Sequence, residues 1–217
     1  MKAEDLHQAL MLLRKESENW QSPVVFQVSR TQDPFRVLIS CILSLRTRDE
    51  VTALASDRLF KLADSPLAML RLHKLTIEKT IYPAAFYRVK TKTILDVCGE
   101  LMDKYGGRVP NEIDELLKLK GVGRKTANLT ITMGYGKAGI CVDSHVHRIA
   151  NRWGYVKTRF PVETEMALRK KLPKKYWIEI NCLLVGFGQN VCRPVSPHCS
   201  KCCVGKTCPR MGVRRSR

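Results

Sequence analysis

The most informative stretch of this 217-residue chain reads Leu119-Lys120-Gly121-Val122-Gly123-Arg124-Lys125-Thr126-Ala127-Asn128. A short apolar helix ends here, two glycines bracket one valine, and a new helix begins with basic residues in its first turn. Glycine permits backbone torsions and close approaches that a Cβ atom would forbid. The exposed N–H groups at the start of the new helix then suit a phosphate. The stretch predicts a helical hairpin that binds an anion.

The rest of the chain also has helical periodicity, and the period-two alternation typical of strands is scarce. Asp33-Pro34 predicts an N-cap with proline in the first turn, followed by a buried helix over 35–45. Thr47-Arg48-Asp49-Glu50 predicts a capping box at the start of the next helix. A helix over 89–102 is predicted to stop at Gly106-Gly107, and a short one to cover 112–119. We therefore expect an all-α fold.

The charge of the chain is strongly positive and uneven. There are 38 Lys+Arg against 20 Asp+Glu, which gives a formal net charge of +18. From Lys118 to Lys175 the sequence holds 14 Lys+Arg and 3 Asp+Glu, and no acid follows Glu179. A solvated surface is the simplest interpretation of a charged run. An excess over about a hundred residues favours a polyanionic partner instead, most simply nucleic acid.

Membrane insertion and secretion are not expected. The longest uncharged run, 180–192, has 13 residues, fewer than the roughly 18 that a spanning helix needs. Residues 1–5 contain early acids and no apolar core of a signal peptide. We expect a cytoplasmic protein, with the nucleoid in a prokaryote. The basic residues 214–217, predicted to form a frayed tail, leave nuclear import open.

Lys125 is the candidate nucleophile. It shares the first turn of the new helix with Arg124, where the helix dipole opposes positive charge. A bound phosphate would offset the charge of Arg124, whereas Lys125 should point to another side of the helix. Partial burial of Lys125 in a cleft would favour its neutral amine, which is able to form a Schiff base. The alternative is an ordinary surface lysine.

Asp143 is the candidate carboxylate. It follows a short apolar run and precedes a helical pattern, in Cys141-Val142-Asp143-Ser144-His145. These features predict an N-cap that holds the carboxylate rigidly and leaves its second oxygen available for chemistry. A cap with no further role is the alternative. His145 is a candidate phosphate contact, and it is not expected to bind a metal together with His147, because i and i+2 on a helix do not converge.

Five of the nine cysteines lie within 17 residues near the end of the sequence. Disulfides are improbable in a reducing compartment, so such a dense cluster predicts a metal site. The spacing Cys192-x6-Cys199-x2-Cys202-x5-Cys208 leaves out Cys203, which adjoins Cys202 and is expected to be a bystander. Four thiolates hold either zinc or an iron–sulfur cubane. One close pair flanked by two single cysteines is less typical of structural zinc.

These three motifs, in this order and spacing, resemble the endonuclease III family of helix-hairpin-helix DNA glycosylases. The resemblance covers the chain from about Phe35 to Cys208. It implies two all-α lobes with a DNA-binding cleft between them. One is a six-helix bundle over 25–137; the other combines 1–24 with 138–217 and carries a [4Fe-4S] cluster on the four spaced cysteines. It also implies a monomer that binds double-stranded DNA containing damaged pyrimidines or abasic sites.

The resemblance further implies a base excision repair enzyme that flips an oxidised pyrimidine, such as thymine glycol, out of the duplex. Lys125 would attack the sugar C1′ and form a Schiff base, and β-elimination would nick the strand 3′ to the lesion. Asp143 would stabilise positive charge on the sugar and assist proton transfer. DNA contacts are expected from Gly121, Val122, Gly123, Arg124, Arg46, Phe86, His145, Arg148 and Arg193.

Two positions depart from the family pattern. Lys120 stands where many relatives have proline, which adds charge at the hairpin. Arg46 stands where many relatives have a glutamine that fills the gap left by the flipped base, and it would pair with the orphaned base or grip the backbone. By position, Phe86 is a candidate wedge between bases, although an aromatic residue is more often part of a core.

Two other functions remain open at this stage. A monofunctional glycosylase for thymine or uracil opposite guanine resembles this chain closely, but such enzymes lack the lysine present at 125. The related adenine glycosylase is not expected, because it carries an extra C-terminal domain that is not seen in these 217 residues. A non-catalytic module that clamps duplex DNA is the alternative from another class, and the presence of both Lys125 and Asp143 argues against it.

Overall fold

The computed structural model describes residues 3–20 and 33–217, and every regular element in them is helical. This confirms the all-α prediction. Among the described residues, no helix is long and apolar enough to cross a membrane. In chain order the α-helices are α1 (Ala3–Ser17), α2 (Pro34–Ser44), α3 (Asp49–Leu62), α4 (Pro66–Arg71), α5 (Lys74–Ile81), α6 (Tyr87–Tyr105), α7 (Ile113–Leu116), α8 (Arg124–Leu129), α9 (Ser144–Arg152), α10 (Pro161–Lys171) and α11 (Glu179–Asn190).

The chain divides into two compact units. We call Val24–Gly139 the hairpin unit, and Met1–Pro23 with Ile140–Arg217 the cysteine unit. The predicted boundary between residues 24 and 25 lies outside the described residues. Each unit has its own apolar core, so each has its own source of hydrophobic stabilisation.

Helix α2 forms the centre of the hairpin unit. Its sequence is apolar almost all round, and eight of its residues are buried, as predicted. Asp33 caps it, because Oδ1 accepts hydrogen bonds from the backbone N–H groups of Phe35 (2.9 Å) and Arg36 (3.2 Å). Helix α2 packs against α3, α6, α8 and the π-helical turn Thr130–Gly134 that follows α8. The buried helix therefore anchors the element that carries the candidate nucleophile.

Two local predictions in the hairpin unit are wrong. The predicted capping box at Thr47 is absent from the start of α3, whose N-cap residue is Arg48 with no side-chain cap bond. The Thr47 hydroxyl instead accepts hydrogen bonds from the Ala85 backbone N–H (3.1 Å) and from Lys90 Nζ (2.6 Å). The predicted helix over 112–119 is only the single turn of α7. By contrast, α6 ends at Gly106 in a left-handed conformation, with φ of 58°, as the glycine pair predicted.

The cysteine unit packs α1 against α11, and α9 against both α10 and α11. Its core includes Leu10, Leu13, Trp153 and Phe187, each at most 1% exposed. At the rim, Arg14 forms a two-pronged ion pair with Glu179 of α11, with N···O distances of 2.6 and 2.9 Å. The helices thereby provide a rigid support for the start of α9 and for residues 192–208, which we call the cysteine segment.

The basic tail is not frayed, contrary to the prediction. The backbone N–H of Arg217 donates to the carbonyl of Pro197 (2.8 Å), and its carbonyl accepts from the N–H of Ser200 (2.9 Å). Met211 N–H donates to the carbonyl of Arg152 (3.0 Å). These long-range backbone bonds fix the tail against the cysteine segment, which its charge and position in the sequence do not indicate.

Candidate active site and cysteine cavity

The hairpin before α8 is a tight turn whose geometry requires glycine at its first position. Gly121 has a φ of +85°, and a Cβ atom there would lie 2.6 Å from Cγ2 of Thr93. The side chain of Val122 is buried, and its N–H donates to the carbonyl of Leu119 (3.1 Å). Because that N–H is used within the turn, an anion would meet the backbone at Gly121, at Gly123 or at the start of α8.

Lys120 does not add an unbalanced charge to this hairpin. Its Nζ lies 3.7 Å from Oδ2 of Asp96 on α6, and its backbone N–H donates to Oε1 of Glu100 (3.2 Å). The acidic face of α6 therefore holds the residue that replaces the common proline. The backbone of Lys120 is bonded to the same helix that its ammonium approaches.

Lys125 is the second residue of α8 and is exposed, so the partial burial that would favour its neutral amine is not observed. The six-residue helix turns Thr126 and Ala127 into the core and leaves Lys125 at the surface. Burial raises the pKa of the Cys41 thiol on α2 to about 12. The positive charge of Lys125 partly opposes that rise, because it favours the thiolate. An exposed amine on a rigid helix start is accessible to a large substrate.

Asp143 is the N-cap of α9, as predicted. Its Oδ1 accepts two hydrogen bonds of 2.9 Å, from the backbone N–H groups of His145 and Val146. Both bonds use the same oxygen, so the cap orients the carboxylate without engaging Oδ2. Asp143 belongs to the cysteine unit, whereas Lys125 belongs to the hairpin unit. Each candidate catalytic group is thus positioned by the start of a helix within its own unit.

His145 and Arg148, both predicted DNA contacts, lie against α11 within the cysteine unit, and Arg148 also reaches the carbonyl of Cys192. Arg148 Nη2 lies 3.1 Å from Nδ1 of His145 and donates to the carbonyl of Cys192 (2.9 Å). Burial lowers the pKa of Arg148. A Cβ atom at Gly188 would lie 2.4 Å from His145 Nδ1, so glycine lets α11 approach this pair. These bonds support the cysteine segment from inside; a contact with DNA stays a prediction for both residues.

The four spaced cysteines line one cavity. Cys192, Cys199, Cys202 and Cys208 surround it together with Trp153, Phe187 and Val204. Cys203 is not among its lining residues. Burial raises the pKa of the Cys202 thiol to about 12 and also raises that of Cys208. In the described part of the chain, no three His, Cys, Asp or Glu side chains stand close enough together to hold a single metal ion.

Arg152 is a residue of this site that sequence reasoning missed. Although only 8% exposed, its guanidinium donates to the carbonyls of Arg193 (2.6 Å) and Pro194 (2.7 Å) and approaches Cys192 Sγ at 3.5 Å. It thereby fixes the course of the 192–199 loop. The sequence pattern gave no signal for it, because Arg152 lies off the apolar stripe formed by Val146, Ile149 and Ala150. Arg193 itself is exposed, consistent with a role outside the loop.

Arg46 and Phe86 lie together on the surface of the hairpin unit. The guanidinium carbon of Arg46 lies 5.0 Å from the centre of the Phe86 ring. Phe86 is 57% exposed, so this aromatic residue does not belong to the core. Both residues have left-handed backbone conformations, with φ of 55° and 57°. The sequence placed them 40 residues apart and gave no indication that they stack.

Comparison with known proteins assigns the class. Residues 39–174 match the family described as HhH-GPD superfamily base excision DNA repair protein. Endonuclease III of Thermotoga maritima is 48% identical over 176 residues, which cover 81% of this chain and 83% of that protein. Endonuclease III-like protein 1 of Gallus gallus is 44% identical over 81% of this chain and 63% of its own length.

A solved structure extends the likeness to nearly the whole fold. The structure of a trapped endonuclease III–DNA covalent intermediate superimposes with a TM-score of 0.85 at 31% identity, and the match covers 97% of each chain. The chain is therefore a helix-hairpin-helix DNA glycosylase of base excision repair. Within that class it belongs to the endonuclease III family, whose members combine glycosylase with AP lyase activity and carry a [4Fe-4S] cluster.

Proposed function

We propose that this enzyme removes oxidised pyrimidines of the thymine glycol type from double-stranded DNA, with Lys125 as nucleophile and Asp143 as its assisting carboxylate. The observation that carries the proposal is the exposed Lys125 amine at the start of α8, directly after the Gly121–Gly123 turn. A hairpin that grips the backbone beside a flipped nucleotide would bring the sugar to this amine.

The proposed reaction has two stages. The neutral amine of Lys125 attacks C1′, the bond to the base breaks, and the base leaves with a proton. The sugar ring opens to give a Schiff base between Nζ and C1′. Loss of a C2′ proton then expels the 3′ phosphate by β-elimination, and water hydrolyses the Schiff base to restore the lysine. No metal or redox step is needed.

Asp143 suits the assisting role because its geometry is fixed by the cap. Oδ1 holds the start of α9, while Oδ2 is available to take a proton from the Lys125 ammonium, which frees the neutral amine for attack, and to stabilise positive charge on the sugar. We propose that two domains bring these groups to the same nucleotide: a six-helix bundle at 25–137 and a lobe formed by 1–24 and 138–217.

The proposed partner is duplex DNA bound by a monomer in the cytoplasm, at the nucleoid. The net charge of +18 supports a polyanionic partner, and the structurally similar endonuclease III is covalently joined to DNA in its solved structure. The proposed contacts with the backbone and the lesion are Gly121, Val122, Gly123, Arg124, Arg46, Phe86, His145, Arg148 and Arg193. For Val122 we propose a role through the shape of the turn, because its side chain is buried.

Replacing Arg46 with alanine is expected to weaken binding to lesion-containing duplexes more than binding to undamaged DNA. Arg46 is exposed and stacked on Phe86, so its guanidinium can enter the gap that a flipped base leaves in the duplex. Undamaged DNA has no such gap. Loss of one such charged contact should cost roughly 1–3 kcal/mol at the lesion. Titration of both duplexes with wild type and variant measures the ratio; equal losses on both would remove the gap-filling role.

We propose that Cys192, Cys199, Cys202 and Cys208 hold the [4Fe-4S] cluster of the family. Thiolates are the ligands such a cluster takes, and the four side chains line one cavity surrounded by apolar residues. A bound cluster would supply positive charge that keeps these sulfurs deprotonated. Arg152 and Arg148 hold the loop on which Cys192 lies, so they would keep this ligand in position.

Changing Cys202 to serine is expected to abolish iron binding, while changing Cys203 to serine should leave it intact. The two cysteines are neighbours in sequence, but only Cys202 lines the cavity, which makes the pair a matched control. Wild type should contain about four iron atoms per chain. Iron and zinc analysis of the purified proteins measures this; zinc in place of iron, or iron loss in the Cys203 variant alone, would contradict the assignment.

Product analysis separates the proposed activity from its alternatives. A duplex with one thymine glycol should be nicked by the wild-type enzyme without added alkali. Base release that yields a nick only after alkali would indicate a monofunctional glycosylase, and a duplex with a thymine–guanine mismatch would then be the next substrate. Binding with neither product, across a panel of oxidised pyrimidines, would favour a non-catalytic DNA-binding module.

A further inference from the structure

Lys90 is a buried lysine that the reaction above does not use. It lies in the first turn of α6 and is only 5% exposed. Its ammonium donates to the carbonyl of Leu43 (2.5 Å) and to the hydroxyl of Thr47 (2.6 Å). Both partners are neutral oxygens, and burial lowers the pKa of Lys90 to about 8. Burial and the dipole of α6 both oppose a positive charge here, so Lys90 does not stabilise the helix α6 in which it lies.

The contacts of Lys90 join two surface loops. We call residues 45–48 the Arg46 loop and residues 82–86 the Phe86 loop. The Thr47 hydroxyl accepts one hydrogen bond from Lys90 and another, of 3.1 Å, from the backbone N–H of Ala85. Ammonium, hydroxyl and amide thus form one chain of hydrogen bonds that runs from the end of α2 to the start of α6.

Each loop holds a strained residue at its exposed point. Arg46 and Phe86 have φ of 55° and 57°, a left-handed conformation that side chains with a Cβ atom rarely adopt. Such strain persists where the surrounding structure fixes it, and it concentrates at functional sites. The side chains stack on each other at 5.0 Å, on the outer side of the loops that Lys90 joins.

We propose that Lys90 is a positioning residue that acts through Thr47 to hold Arg46 and Phe86 in the arrangement that meets the DNA at the lesion. This inference rests on the proposed function, because it assumes that these two side chains contact the gap of the flipped base. Side chains held in place before binding lose less conformational freedom on binding, so pre-ordered loops strengthen recognition of the lesion.

A purely structural role is the alternative to be separated. The carbonyl of Leu43 is among the last four of α2 and needs a partner outside the helix, which Lys90 supplies. If capping α2 were its whole role, a Lys90→Met variant would lose stability and nothing else. The matched control is Ile94→Ala, which removes buried apolar atoms one turn further along α6 without removing a hydrogen bond.

Amide hydrogen exchange measures how well the Arg46 loop and the Phe86 loop are ordered in the absence of DNA. Lys90→Met and Thr47→Val should accelerate exchange in peptides covering 44–48 and 82–87, and Thr47→Ser, which keeps the hydroxyl, should restore the wild-type rate. Ile94→Ala should not raise exchange in these peptides relative to the rest of the hairpin unit. Unchanged exchange in Lys90→Met would overturn the proposal, whatever the enzyme does with DNA.

Binding tests the consequence for recognition. The probe is a duplex with a tetrahydrofuran abasic analogue, which lacks the C1′ hydroxyl and so forms no Schiff base, compared with the same duplex undamaged. Lys90→Met and Thr47→Val should lower the ratio of the two affinities by about tenfold, and Thr47→Ser and Ile94→Ala by less than about twofold. In an Arg46→Ala background, Lys90→Met should lower the ratio no further.

The outcomes are distinguishable. A ratio that Lys90→Met and Ile94→Ala change alike, or losses that multiply with that of Arg46→Ala, would overturn the positioning role and leave the proposed function in place. A wild-type enzyme that binds both duplexes equally would overturn the proposed recognition of the lesion by Arg46, and with it the purpose assigned to Lys90.

Discussion

Lys125→Gln is expected to reduce strand nicking at thymine glycol by about 10³-fold or more, because it removes the amine that forms the covalent intermediate. Glutamine retains a polar side chain of similar length, and position 125 is exposed, so the fold of α8 should be unaffected. Nicking is measured in single turnovers with the enzyme in excess over DNA, so that weaker binding does not contribute to the rate.

The matched control for this prediction is Lys120→Gln on the same hairpin. Lys120 is also an exposed lysine, but its ammonium is paired with Asp96 at 3.7 Å. We expect its single-turnover rate to stay within about threefold of wild type, since an exposed ion pair contributes little. A Lys125→Gln enzyme that nicked as fast as the Lys120→Gln enzyme would refute the assignment of the nucleophile.

Asp143→Asn is expected to slow the reaction by about 10²-fold while leaving the protein folded and stable. Asparagine caps a helix as well as aspartate does, so the bonds to the N–H groups of His145 and Val146 should survive. Only the charge and the proton acceptor are lost. Asp143→Ala should show the same catalytic defect and in addition lose about 1 kcal/mol of stability with the cap.

Asp33→Asn supplies the control for the carboxylate. Asp33 caps α2 with the same geometry, through Oδ1 to two backbone N–H groups at 2.9 and 3.2 Å. Its replacement should change neither stability nor rate appreciably. Single-turnover rates and thermal melts of the three variants make the comparison. A full rate for Asp143→Asn would mean that Asp143 serves only as a cap.

The features that the sequence predicted correctly are local. The caps at Asp33 and Asp143 each depend on hydrogen bonds to the second and third residues onward, so the residue type and a following helical pattern suffice to find them. The burial of α2 follows from its apolar composition. The cysteine spacing predicted a common centre; the four side chains line one cavity, and the cluster itself stays a prediction. The hairpin, the Asp143 motif and the cysteine spacing together predicted the family, which comparison with known proteins confirms.

The features that it missed depend on partners far away in the chain. Thr47 fits a capping box by pattern, but its hydroxyl bonds to residues 38 and 43 positions later. Arg152 bonds to carbonyls more than 40 residues on, and Arg217 to a loop 20 residues back. The exposure of Lys125 could not be predicted from the periodicity of a helix of only six residues. Such pairings arise from tertiary packing, about which local patterns carry no information.

Borohydride trapping on a duplex with one thymine glycol tests the central claim most directly, because it reports the bond between enzyme and sugar itself. Reduction of the Schiff base should give a stable covalent adduct with wild-type enzyme, and peptide mapping should locate it on Lys125. Lys125→Gln should give no adduct, and Lys120→Gln should give the wild-type amount. An adduct that persists in Lys125→Gln, or one that maps to another lysine such as Lys90, would contradict the account.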